Sequence, residues 1–185
     1  MTVVAPRAAL LDRDGTINVK AAEGEYITAP SQVQLLPGAA TAIRLLNRAN
    51  VPAIVITNQR GIARGLMTEA DLERVHQRLS ALLADEGARI DAFFHCPHEA
   101  GTCACRKPGT LMLEWARQWL GLESLADTVT IGDSLSDVDA GLAMSSQPIL
   151  LGPVDAAPAG VPAAASLLQA VREILPEPAA ETVSA

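Results

Sequence analysis

The sequence predicts an α/β fold, a doubly wound and mostly parallel sheet of the Rossmann-like kind. Short apolar runs bounded by turn residues alternate with longer stretches of helical periodicity, the pattern of parallel strands joined by crossover helices. Each polar signature in the chain also falls immediately after an apolar run. In open α/β sheets the ligand crevice lies at the carboxyl ends of the strands, so these polar residues are candidates for one site.

The first run leads into LLDRDGTIN at residues 10–18, where a short buried strand would end in Asp12 and Asp14. A break at Gly15 lets the second acid, Asp14, swing back over the first. Residues 19–36 lack clean periodicity and are expected to pass as a loop over the carboxyl edge of the sheet. A helix is predicted over 39–49, with Ala42, Ile43 and Leu46 on one face. The second strand, 51–56, ends in Thr57, Asn58 and Gln59 before RGIARG at 60–65.

Thr68 and Asp71 have the spacing of a capping box, and Leu72, Val75, Leu79, Leu82 and Leu83 make the apolar stripe of a long helix. The third strand is predicted at 91–95. After a cysteine-bearing segment, Thr110 is expected to cap a helix whose Trp115 and Trp119, four residues apart, read as packing residues and not as a binding platform. Strand four, 129–131, ends in Gly132, Asp133 and Ser134, with Asp137 beyond, and 148–151 is a fifth short strand. Residues 152–165 read as a surface connection, and Ser166 and Gln169 as the cap of a last helix running to Leu175.

The 185 residues suffice for one domain with a sizeable core, expected over 1–175, while the tail 176–185 reads as disordered. With 49% apolar and 19% charged residues the chain is not a disordered one, and no run approaches the length of a membrane span. The N-terminus has no basic start followed by a long apolar region, so no signal peptide is expected. A net charge of −7 would repel a nucleic-acid backbone, which excludes nucleic acid as an expected partner. All three cysteines lie within residues 96–105, which suits an intracellular metal site and not a disulfide scaffold; the cytoplasm is the expected compartment and a monomer the default.

Four strand ends therefore deliver Asp12 and Asp14, then Thr57 and Asn58, then Arg106 and Lys107, then Asp133 and Asp137. Carboxylates from two strands can share a hard divalent cation, for which Mg²⁺ is the natural choice. A hydroxyl, an amide and an ammonium remain to hold an anion, which is the equipment of phosphoryl transfer. Singly, Asp137 reads equally well as a helix N-terminal charge, and Thr57 with Asn58 as a strand end; the conjunction carries the reading. In the segment CPHEAGTCAC, Cys96, His98, Cys103 and Cys105 can close a tetrahedral shell around a structural Zn²⁺ and so fix Arg106 and Lys107 over the site.

The ordered set DxDGT, strand-terminal Thr, Lys and GDxxxD resembles the haloacid dehalogenase superfamily of aspartate-nucleophile phosphatases, over most of residues 8–151. The resemblance implies Asp12 as nucleophile, Asp14 as general acid and base, and Thr57 and Lys107 as phosphoryl-stabilising groups. It implies Mg²⁺ held by Asp12, the Asp14 backbone carbonyl and Asp133, with Asp137 behind them or orienting Lys107. Within the superfamily, CPH followed by CxCRKP, together with TNQxGIARG, is similar to the heptose bisphosphate phosphatases, and the zinc loop also to the histidinol phosphatases.

That similarity implies a small phosphorylated sugar as substrate. Arg106 would aid its recognition, and Asn58, Gln59, Arg60 and the loop at Gly24, Glu25 and Tyr26 would touch the sugar or its second phosphate. Ser134 stands where many of these enzymes carry a lysine, and the zinc loop is shorter than in the enterobacterial form. The insertions at 19–36 and 96–105 are too small for a cap domain, so an open site is expected. Two non-enzymatic readings share parts of the pattern, a receiver-like phosphoacceptor and a zinc-stabilised binding module. A second carboxylate at Asp14 favours turnover over storage of the phosphoryl group.

Overall fold

The computed structural model describes residues 4–176, so all but the first residue of the predicted tail lies outside the described residues. In chain order the elements are β1 (Ala9–Leu11), α1 (Ala39–Arg48), β2 (Ala53–Asn58), α2 (Glu69–Asp85), β3 (Ala92–Cys96), α3 (Leu111–Trp119), β4 (Val129–Gly132), α4 (Leu135–Ala143), β5 (Gln147–Leu151), β6 (Ala163–Ala164) and α5 (Leu167–Ile174). The strands form one parallel sheet in the order β3-β2-β1-β4-β5-β6.

Side chains alternate across each strand, and both faces of this sheet are covered. Leu10, Ile54 and Ile56 pack with Met112, Leu113 and Ala140 of α3 and α4. Ala9, Leu11 and Val55 pack on the opposite face with Ile43, Leu46, Leu79 and Val171 of α1, α2 and α5. The chain builds outward from β1 through β2 to β3, then crosses to β4 on the other side of β1. Strand order thus reverses between β1 and β4, where a crevice opens at the carboxyl edge. The Asp12 backbone N–H donates to the Ile131 carbonyl there, at 2.9 Å.

The Thr68–Asp71 capping box forms as expected: the Asp71 N–H donates to Thr68 Oγ1 at 3.1 Å and the Thr68 N–H to Asp71 Oδ2 at 2.7 Å. Ser166 likewise accepts from the Gln169 N–H at 3.2 Å. Thr110 differs, since its backbone is already helical (φ −101°, ψ −5°) and its side chain makes no capping bond. The tryptophans also differ. Met112, Leu113 and Ala116 supply the buried face of α3, which leaves Trp115 37% and Trp119 53% exposed. Residues 152–165 are not wholly a connection, because Ala163 and Ala164 pair with Leu150 and Leu151 as the edge strand β6.

In α2, His76 is buried, and its ring stacks on Phe93 with centroids 4.5 Å apart. Burial pushes its pKa from 6.5 down to about 3. The imidazole is therefore neutral in the folded chain while the unfolded chain takes up a proton, so stability present above about pH 6.5 is lost as pH falls toward about 3. Thermal melts across that window should show a shallower acid decline for His76→Leu than for the parent chain.

Candidate active site

The crevice at the switch point is lined by Asp12, Asp14, Lys20, Thr57, Asn58, Arg106, Lys107, Asp133, Ser134, Ser136 and Asp137, and encloses about 230 Å³. At its floor lies the Lys107 ammonium, which donates to Asp12 Oδ1 at 2.8 Å and to the Ile56 carbonyl at 2.5 Å and pairs with Asp137 Oδ1 at 2.5 Å. Burial works against the charged amine, but Asp12 and Asp137 outweigh it and hold Lys107 above its ordinary value. Burial also pushes the Asp12 carboxyl up, to about 7, against the pull of Lys107.

Asn58 clamps the lysine backbone from both sides: its Nδ2 donates to the Lys107 carbonyl at 3.2 Å and its Oδ1 accepts from the Lys107 N–H at 3.0 Å. Asp137 Oδ2 accepts from the Ser134 N–H at 3.2 Å, which joins the start of α4 to the same network. Ser134 itself is the N-cap of α4, accepting from the Ser136 N–H at 3.2 Å.

Asp14 swings back beside Asp12 as the break at Gly15 allows, and three side chains fix it. Arg13, 1% exposed, donates to both carboxylate oxygens, with Nη2 at 3.0 and 2.7 Å. Asn18 Nδ2 donates at 2.9 Å and Gln59 Nε2 at 3.0 Å. The same Gln59 nitrogen lies 2.9 Å from Thr57 Oγ1, so this buried amide orients two cleft residues.

Asn58 and Gln59, expected to meet substrate, make these bonds to the protein, and Asn58 also lines the crevice. Gly24, Glu25, Tyr26, Gln59 and Arg60 do not line the crevice. Tyr26 packs against Gly61 and under the Arg64 guanidinium, 5.9 Å from its ring, and Arg60 pairs with Glu99. Arg106 does line it, with a buried Nη1 that has no hydrogen-bond partner.

Sequence reasoning missed Lys20, whose ammonium sits 2.8 Å from Asp133 Oδ2. A signal was present: the chain has only two lysines, Lys20 and Lys107, among 14 basic residues. Arg13 and Asn18 were also missed, because both lie inside the motif as apparent spacers.

Asp12, Asp133 and Asp137 each offer a carboxylate oxygen, mutually within 4.8 Å, a hard-donor set that suits Mg²⁺. Gly15 leaves room for the Asp133 carboxylate, since a Cβ there would fall 2.2 Å from Asp133 Oδ2. Cys96, His98, Cys103 and Cys105 also converge. Their donor atoms are 3.1 to 3.6 Å apart along five edges. A zinc tetrahedron with Zn–S of about 2.3 Å has edges of roughly 3.7 Å, so the cluster fits that ion with small adjustments. Burial resists ionisation of Cys103, but the Arg106 backbone and neighbouring thiols bring it to about 6, while burial and those neighbours push Cys105 to about 12.

The sequence matches the haloacid dehalogenase-like hydrolase family over residues 4–144. The chain belongs to the haloacid dehalogenase-like hydrolases. It is 41% identical over 131 residues to a D-glycero-alpha-D-manno-heptose-1,7-bisphosphate 7-phosphatase of Mycobacterium bovis, covering 70% of this chain and 68% of the relative. It is 41% identical over 154 residues to a D-glycero-beta-D-manno-heptose-1,7-bisphosphate 7-phosphatase of Rhodopseudomonas palustris, covering 77% of this chain and 83% of the relative. The crystal structure of D,D-heptose 1.7-bisphosphate phosphatase from B. bronchiseptica complexed with magnesium and phosphate aligns with a TM-score of 0.82 and 31% identity, over 90% of this chain and 97% of that one.

In this haloacid dehalogenase-like hydrolase the floor of the crevice depends on a close backbone approach. A Cβ on Gly132 would fall 2.2 Å from Asp137 Cγ. Gly132→Ala should therefore displace Asp137 from Lys107, lowering kcat at least about tenfold and stability by about 1–3 kcal/mol, as read by steady-state kinetics and urea unfolding.

Proposed function

We propose that the protein is a Mg²⁺-dependent phosphatase that forms an aspartyl-phosphate on Asp12 and removes the 7-phosphate of D-glycero-D-manno-heptose 1,7-bisphosphate, giving heptose 1-phosphate. The observation that carries this reading is the meeting of Lys107 with Asp12 and Asp137, beside Asp133, in one crevice. Four acids from two strand ends would repel a phosphate. One buried ammonium and a divalent cation make the approach favourable.

In this mechanism the free oxygen of Asp12 attacks phosphorus, while Lys107 and the Thr57 hydroxyl hold the equatorial oxygens on which charge accumulates. Asp14, oriented by Arg13, Asn18 and Gln59, gives its proton to the departing sugar oxygen. It then takes a proton from the water that attacks the aspartyl-phosphate, so one carboxyl group serves both half-reactions. Mg²⁺, held by Asp12, Asp133 and the Asp14 backbone carbonyl, would supply charge neutralisation between carboxylate and phosphate. Asp137 stays with Lys107 and the α4 N-terminus, which makes it a positioning residue.

Zn²⁺ at Cys96, His98, Cys103 and Cys105 would be structural, since all four positions are filled by protein. The metal would stiffen the segment that delivers Arg106 and Lys107. Arg106, with its unpartnered buried nitrogen, is the substrate contact we assign with the strongest geometric support. Ser134 lies on the same wall.

The enzyme acts in this reading as a cytoplasmic monomer on a small sugar phosphate. No helix among the described residues is long and apolar enough to cross a membrane. The two relatives above carry alpha and beta names at the same identity, so both anomers belong in the test. Comparing kcat/KM for the two heptose bisphosphate anomers, histidinol phosphate and fructose 1,6-bisphosphate should show one heptose anomer preferred by at least about tenfold, some 1.4 kcal/mol of transition-state discrimination. A higher value for histidinol phosphate would transfer the assignment to that substrate.

A further inference from the structure

Lys20 has no part in the catalytic set above, yet its ammonium lies 2.8 Å from Asp133 Oδ2 within the crevice. Its side chain is 60% exposed, against 19% for Asp133, so it reaches in from the solvent side. Lys107 is committed to Asp12 and Asp137, and among the described residues Asp133 has Lys20 as its ion-pair partner. Three carboxylates this close face two ammonium groups, and like charges held within 4.8 Å of one another repel unless cations sit beside them.

The base of Lys20 is fixed even though its tip is exposed. Asn18 pairs with Leu35 and donates to Asp14, and the Val19 N–H donates to the Gln34 carbonyl at 2.8 Å. A lysine offers a compact, strongly hydrated charge on a flexible stem, where arginine would bring a planar fork suited to bidentate pairing. The chain uses arginine at twelve of its 14 basic positions, and both lysines end in this crevice.

We propose that Lys20 is an internal stand-in for the divalent cation: it holds the Asp133 carboxylate in place until Mg²⁺ displaces it, and so sets the metal affinity of the site. This rests on the Mg²⁺-dependent reading of Asp133. An ion pair as exposed as this one is weak, so the exchange is easy. Replacing one ammonium by a divalent ion raises the positive charge of the crevice, and the released Lys20 stays at its mouth. There it meets the oxygens of an incoming phosphate.

The test uses the full chain dialysed into Mg²⁺-free buffer without chelator, which leaves thiolate-bound zinc undisturbed. Calorimetric titration with Mg²⁺, in the absence of substrate, should show Lys20→Met binding about three- to fivefold more tightly than the parent. The metal-free melting temperature of Lys20→Met should fall by about 2–4 °C, because the pair it loses is present in the metal-free state, and saturating Mg²⁺ should erase that difference, which separates this role from simple loop stabilisation. At saturating Mg²⁺, inorganic phosphate should bind Lys20→Met about three- to fivefold more weakly. Equal or weaker Mg²⁺ binding by Lys20→Met overturns the stand-in role, and unchanged phosphate affinity overturns the role of the released ammonium. If the parent chain binds no Mg²⁺ at all, the metal-dependent reading itself fails.

Discussion

A buried ammonium is the constraint on which the rest of this structure depends. Lys107 is 4% exposed, and an amine removed from water is destabilising unless opposite charge and hydrogen-bond acceptors surround it. Asp12 at the end of β1, the Ile56 carbonyl in β2 and Asp137 in α4 provide them. One side chain thereby ties two strands and a helix together, and each of its partners would be an uncompensated charge or carbonyl without it. The order of motifs along the chain follows from this: acids must arrive from β1 and β4, flanking the switch point, and the lysine from the far side of β2.

Delivering Lys107 is a problem of loop order. The segment between β3 and α3 is polar and too short to bury a core of its own, so backbone ties and the cysteine cluster define it. The Gln59 N–H donates to the Cys96 carbonyl at 2.7 Å and the Ala63 N–H to the Pro97 carbonyl at 3.0 Å, which join it to the loop after β2. Glu99 adds pairs to Arg60 and Arg64. The residues of the GIARG stretch thus brace the wall that carries Arg106, and Asn58 closes the clamp on the lysine backbone itself. Asn58, Gln59 and Arg60, which read as sugar contacts in the sequence, make bonds here to Lys107, to Asp14 and Thr57, and to Glu99.

Parallel strands and the four residues Asp12, Asp14, Lys107 and Asp133 were legible because apolar runs and their polar ends are local patterns. Strand limits shifted by one or two residues, since pairing continues as long as the neighbouring strand does: β2 runs on to Asn58 against Cys96. Strand β6 was not legible, for two alanines in a Pro- and Gly-rich stretch carry little β-propensity and pair only because β5 offers a free edge. The exposed tryptophans invert the usual expectation for large aromatics, because spacing fixes which residues share a face but not which face meets the sheet. Lys20 and the orienting role of Gln59 escaped for another reason. Their roles are set by long-range partners, Gln59 reaching Asp14 and Lys20 reaching Asp133 across the fold.

In the proposed reaction Asp12, backed by Lys107, attacks phosphorus. This step is tested most directly by quenching the enzyme during turnover, reducing any acyl phosphate with borohydride and mapping the product by peptide mass spectrometry. The residue 12 carboxyl should be reduced to an alcohol, dependent on both substrate and Mg²⁺. Turnover with residue 12 unmodified, or reduction at a different carboxylate of the crevice, would contradict it.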